Sequence, residues 1–210
     1  MLQTLLGCFG QDKGPGMEFD ALFDDITALL QNGFAGASDF FDQDRGQYEF
    51  KDPSPNEPPR GVDLAACIPL ANDLTRPLVT QIAHLSDRLN WQQTYTQADG
   101  FSRDFLNNYA WLNVISPDGM FMSDTARVTI GYWGQGLQYP EHSHAPEEIY
   151  CILAGSATFH SEGQPARVAG AGEMIHHMPH QKHAIDMTPG PLLALIPWRG
   201  EGLNTKSDLG

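Results

Sequence analysis

Positive charge is scarce in this sequence. Its 210 residues include 12 Lys and Arg against 26 Asp and Glu, a formal net charge of −14. Such a field repels polyanions, which argues against nucleic acid and anionic membrane as partners and leans toward a small cationic or zwitterionic ligand. Cysteine is scarce too. Cys8, Cys67 and Cys151 are odd in number and form no CxxC pair, so neither a disulfide framework nor a thiolate metal site is expected. That usage fits a reducing, cytoplasmic compartment. No apolar run approaches the ~18 residues of a membrane span. The opening MLQTLLGCFG contains LLGC, superficially a lipoprotein cleavage box. It lacks a basic segment and a full apolar stretch before Cys8, and reads as an ordinary start.

Glycine (21) and proline (15) are plentiful, and hydrophobic residues reach 41%. This is a globular composition rich in tight turns, enough for one cored domain with an extension. Two patterns divide the chain. Up to residue 110 the apolar positions recur at helical spacing. Phe19, Leu22, Phe23, Ile26, Leu29 and Leu30 form one stripe, and Leu78, Ile82, Leu85 and Leu89 a second on a helix from about Thr75 to Asn90, with Pro77 in its first turn. A short helix is expected around 101–109, and DPSPNEPPRG (52–61) reads as a loop. From 111 onward come eight short segments: WLNVIS, ARVTIGYW, EEIYCILAG, SATFHSE, PARVAG, EMIHHM, HAIDM and LLALIPW. Turns such as PDG, SEGQ, GAG and TPG separate them, with no room for helices between, which indicates an antiparallel barrel or jelly roll. Residues 201–210 read as a loose tail.

The chemistry concentrates in YPEHSHAPEEIYCILAG, residues 139–155. In extended backbone, residues two apart share a face, so His142 and His144 project together and Glu148 keeps their parity. Tyr150 and Ile152 continue that face. Neutral imidazole and carboxylate suit a divalent transition metal such as Fe(II), Mn, Ni, Co or Zn. The alternative is a turn that happens to hold histidines. The later GEMIHHMPHQKHAI puts Ile175 and His177 on one strand face, and His183 opens the next strand, where a hairpin could bring a further imidazole to the site. Three histidines and a carboxylate would leave two positions of an octahedral ion for substrate. His84 and His160 read as solvent-side. His176, His177 and His180 are ambiguous, with His177 a candidate to line the cavity, either supporting a metal ligand from behind or contacting substrate.

These spacings resemble the cupins. Gly136, His142, His144, Glu148 and Gly155 fit the first cupin motif, and Gly172, Glu173, Pro179 and His183 the second. The usual Pro-x-Gly turn is replaced by Met178-Pro179-His180. The resemblance implies a mainly β protein, a C-terminal double-stranded β-helix barrel over 111–200 and an N-terminal α-helical extension over 1–110 that covers the barrel or mediates dimerisation. It also implies the ligand set His142, His144, Glu148 and His183.

The joint pattern Tyr139-x-x-His142-x-His144-x-x-x-Glu148-x-Tyr150 is similar to the cupin-type dimethylsulfoniopropionate (DMSP) lyases. That implies cleavage of DMSP, a small zwitterionic sulfonium, to dimethyl sulfide and acrylate. Tyr150 would be the general base and Tyr139 would bind or orient substrate, with the substrate carboxylate on the metal. A sulfonium offers no hydrogen-bond donor, so aromatic faces would hold it; Trp133 and Trp198 are the chosen pair. Arg127 and Arg199 could contact a carboxylate, but a surface role is the reading preferred for both. Another metal-dependent cupin enzyme, such as a dioxygenase, or a non-enzymatic ligand-binding cupin stays open beside this reading.

Overall fold

The structure, a computed structural model, describes residues 16–209. The LLGC segment with Cys8 lies outside them.

The first apolar stripe forms α1 (Met17–Gly33). Its buried face is Phe19, Leu22, Phe23, Ile26, Leu29 and Leu30, and Glu18 and Asp20 sit in the first turn, where carboxylates complement the helix dipole. A two-residue strand, β1 (Glu49–Phe50), precedes the irregular proline-rich loop and the short α2 (Leu64–Cys67). The second stripe forms α3 (Arg76–Leu85), shorter than its apolar pattern because a 3-10 turn over Ser86–Arg88 carries the chain on to buried Leu89. Two side chains tie the start of α3 to later chain. Thr75 donates to the Leu153 carbonyl at 2.6 Å, and Asn72 to that of Ala171 at 2.9 Å. The helix expected around 101–109 is α4 (Arg103–Asn107), capped by Ser102, whose Oγ accepts from the Phe105 N–H.

The strands follow: β2 (Tyr109–Ser116), β3 (Phe121–Met122), β4 (Arg127–Trp133), β5 (Gln138–Ser143), β6 (Glu147–Ser161), β7 (Arg167–Gly170), β8 (Met174–His177), β9 (His183–Asp186), β10 (Leu192–Arg199) and β11 (Asp208–Leu209). They pair in the order β1-β3-β2-β4-β10-β6-β9-β5-β11, with β7 and β8 also on β6. This is the expected mainly β, cupin-type barrel. Three details differ from expectation. EEIYCILAG and SATFHSE are one continuous strand, β6, whose first half pairs with β10 and β8 and whose second half pairs with β7 and β9. Gly155 lets it bend: its φ is +75°, and a Cβ there would lie 1.7 Å from the Pro191 carbonyl oxygen. β5, bearing His142, is a strand in its own right. The tail is not loose: β11 pairs with Ser143 and His142 of β5, and Leu203 is buried.

Strand parity serves two cores. On β4, Val128, Ile130 and Tyr132 face the N-terminal helices, while Trp133 faces the barrel interior. On β10, Leu193 and Leu195 go to the helices, and Leu192, Ala194 and Ile196 to the interior. On β6, Ile149, Cys151 and Leu153 go outward, and Tyr150 and Ile152 inward. Burial on both faces is why these strands read as unbroken apolar runs. Among the described residues no helix is long and apolar enough to cross a membrane.

Candidate active site

Glu148, entirely buried on the inward face of β6, accepts the approach of three imidazoles on one oxygen. Its Oε1 lies 3.1 Å from His144 Nε2, 3.0 Å from His183 Nε2 and 3.0 Å from His177 Nδ1. The other nitrogen of each candidate ligand is held by a backbone carbonyl: His142 Nδ1 by Pro140 at 2.8 Å, His144 Nδ1 by Pro146 at 2.8 Å, His183 Nδ1 by Gln181 at 2.9 Å. A carbonyl only accepts, so each Nδ1 carries the proton and each Nε2 presents a bare lone pair. The ligating nitrogens of His142, His144 and His183 lie within 4.8 Å of one another. His144 Nε2, His183 Nε2 and Glu148 Oε2 are buried with no hydrogen-bond partner. Lone pairs and a carboxylate converging without a proton between them are what a divalent cation resolves, so these residues fit one.

The electrostatics keep Glu148 and His142 in their ligating forms, whereas His144, beside the Glu148 carboxylate, is drawn toward its protonated form. Burial alone would raise the Glu148 carboxyl, but the surrounding imidazoles outweigh it and hold it well below the carboxylate range. Burial, with His183 close by, pulls His142 down to about 3, so it stays neutral and available. For His144 burial opposes charge, yet the Glu148 carboxylate prevails and the pKa rises.

Beside this cluster lies a cavity of about 450 Å³, three of whose lining side chains pack against the histidines. Tyr139 packs on His142 with ring centroids 4.2 Å apart, Trp198 on His144 at 4.6 Å, and Tyr150 on His177 at 5.7 Å. Tyr139, Tyr150, Trp133 and Trp198 all line the cavity. The Tyr139 hydroxyl exchanges a hydrogen bond of 2.9 Å with that of Tyr95. The Tyr150 hydroxyl has no protein partner among the described residues; burial and then the Glu148 charge push its pKa well above 10.

Of the two roles open to His177, the structure favours support of a candidate metal ligand over contact with substrate. His177 keeps the predicted parity but does not reach the cavity: fully buried, it meets Glu148 through Nδ1 and Ser161 Oγ through Nε2 at 3.1 Å. It orients the carboxylate rather than touching a ligand. For Arg127 the preferred surface reading is corrected, since it lines the cavity. Arg199 is a surface residue paired with Glu147 at 2.7 Å. His180 is exposed and takes the glycine place in the Met178-Pro179-His180 turn with a φ of 61°. Its N–H donates to the His144 carbonyl at 2.8 Å, so the turn is kept and braces a candidate ligand. Sequence reasoning missed Tyr95 and Tyr109, which complete the aromatic wall, and the tail residues Asn204 to Ser207, which close one side. The tyrosines carry no motif, and a tail gives no periodic signal.

The family model of dimethylsulfoniopropionate lyase matches residues 45–194, which include the whole ligand cluster and both candidate tyrosines. The chain belongs to the DMSP lyase family. Over 111 residues, 53% of this chain, it is 40% identical to dimethylsulfoniopropionate lyase DddQ of Ruegeria pomeroyi. The match spans about half, 55%, of that relative. The crystal structure of DMSP lyase DddQ from Ruegeria pomeroyi DSS-3 superposes with a TM-score of 0.79 at 29% identity, over 92% of this chain and 96% of that one. A chain from the crystal structures of the DMSP lyases RdDddP and RnDddQII gives 0.80 at 27% identity, over 94% of this chain and 100% of that one. The likeness to other DMSP lyases therefore extends through the helical segment as well as the barrel.

Proposed function

We propose that the protein cleaves DMSP to dimethyl sulfide and acrylate by β-elimination, in the cytoplasm, with Tyr150 as general base and one divalent transition metal ion (Fe(II), Mn, Ni, Co or Zn) on His142, His144, Glu148 and His183. The observation that carries this reading is the Tyr150 hydroxyl, free of protein partners in the cavity wall two residues beyond Glu148. A bound divalent cation supplies positive charge that favours phenolate and acidifies the α-proton of a nearby carboxylic substrate. Tyr150 takes that proton; the C–H electron pair becomes the C=C bond of acrylate, and the C–S pair leaves on sulfur as dimethyl sulfide. Nothing is oxidised or reduced. Trp133 and Trp198 offer faces for the sulfonium, and Tyr139, fixed through Tyr95, orients the substrate. His177 keeps Glu148 in place, and the buried wall limits water around the reacting carbon.

The test is headspace dimethyl sulfide from purified protein given DMSP without oxygen, with and without chelator. Release is expected from the metal-loaded wild type, with a loss of about 10²-fold or more in Tyr150→Phe. Absence of release after metal reconstitution rejects the substrate; release unaffected in Tyr150→Phe rejects the base.

A further inference from the structure

Charged side chains that leave water are ordinarily paired. Arg127 is an exception. It stands on the cavity wall at the start of β4, partly buried, its guanidinium 5.0 Å over the Trp111 ring and 5.5 Å over Trp198. Its two hydrogen bonds go to neutral acceptors: Nε donates to Asn113 Oδ1 at 3.2 Å and Nη1 to the Leu203 carbonyl at 2.7 Å. Among the described residues no carboxylate forms a salt bridge with it and Nη2 has no acceptor. Asp118, also on the cavity wall, and Glu148 act on it through space without a direct ion pair; the Asn113 amide donates 2.8 Å to Asp118 Oδ1, an oxygen that Ser116 also holds at 2.6 Å. The other cation on the wall, Lys206, is occupied by Asp99 at 2.6 Å. The indole N–H groups of Trp111 and Trp133, on the same wall, are also buried without acceptors. Spare donors and a positive charge without a direct ion-pair partner thus gather on one cavity, while Asn113 and Leu203 hold the guanidinium in a fixed orientation.

We propose that Arg127 receives the carboxylate of the cavity's ligand through Nη2 and so selects small carboxylates over neutral compounds of the same shape. This rests on reading the cavity as the substrate site. It deepens that reading by giving the carboxylate, which the family resemblance places on the metal, a protein donor as well, beside the aromatic faces offered to the positive end.

The experiment compares propanoate with its neutral isostere propanamide, binding to the full chain as purified, by calorimetric or NMR titration. The wild type is expected to prefer propanoate. Arg127→Gln should cut that preference about tenfold or more, as the loss of a charge-assisted hydrogen bond demands, and Arg127→Lys, which keeps the charge, should retain part of it. A merely structural role would weaken both probes alike, so an equal fall, or an unchanged ratio in Arg127→Gln, overturns the proposal, as does a wild type without preference. Dimethyl sulfide release separates the two readings. Activity on DMSP with an unmoved ratio sinks Arg127 alone; a moved ratio without activity sinks DMSP and leaves the carboxylate subsite standing.

Discussion

A single carboxylate oxygen, Glu148 Oε1, stands within 3.1 Å of three imidazole nitrogens. Replacing that group tests the centre without changing its size. Glu148→Gln removes the negative charge and puts an amide in place of a ligand; metal affinity, measured as bound metal after dialysis against a graded chelator, should fall at least about tenfold. An unchanged affinity would place the ion elsewhere. That Glu148 and Tyr150 share a face was legible in the sequence, because side-chain alternation along a strand is a local property; the convergence of His142 and His144 on them was expected from the same alternation, but it comes about across the turn between β5 and β6. His177 shows where that stops. Parity tells which way a residue points, but whether it meets a cavity or a neighbouring carboxylate depends on the strand paired beside it, and β8 pairs with β6 at Glu148 itself. Arg127 failed for a related reason: its surroundings come from Asn113, Trp198 and Leu203, from three distant parts of the chain.

Among the elements, β6 and the tail departed most from the linear reading. Residues 147–161 look like two strands because Gly155 interrupts the apolar run, yet that glycine is the bend that lets one strand belong to both halves of the barrel. Gly155→Ala puts a methyl against the Pro191 carbonyl and forces a left-handed φ, and should cost about 3 kcal/mol or more of unfolding free energy in urea titration. A smaller loss would mean the bend is not tight. The tail is fastened by Lys206, which meets Asp99 at 2.6 Å and lies 5.0 Å over Tyr95. Lys206 holds Asp99 down at about 2, against an ordinary 3.8. A depressed carboxylate stabilises the folded arrangement above its ordinary pKa, and the contribution is lost as pH falls through the depressed value. Pepsin cleavage within 203–209 should therefore accelerate between pH 3.8 and about 2 in the wild type, ahead of the loss of far-ultraviolet dichroism. Lys206→Met should already be cleaved fast at pH 4. Equal rates at pH 4 would show that the ion pair does not hold the tail.

At the scale of the molecule, the fold class was legible because eight short segments separated by turn residues leave no room for crossover helices. The layering was not. The helical stripes announce a buried face but not the surface that buries it, and that surface is the outer side of β2, β4, β6 and β10. Because the same strands wall the interior, neither layer can melt while the other persists. Heating should give one transition, with dichroism at 222 nm and tryptophan fluorescence coincident; two separated transitions would mean that the helical layer folds independently. The division of each strand between two cores also has a meaning for how such a protein changes over generations. Substitutions at Ile149, Leu153, Leu193 or Val128 alter only the packing under the helices, whereas their immediate neighbours meet the ligand cavity or the barrel interior. Durability and chemistry are thus written on alternate letters of the same words, free to drift separately by substitution. An insertion or deletion of one residue in β6 would exchange the two texts, and such lineages should be missing.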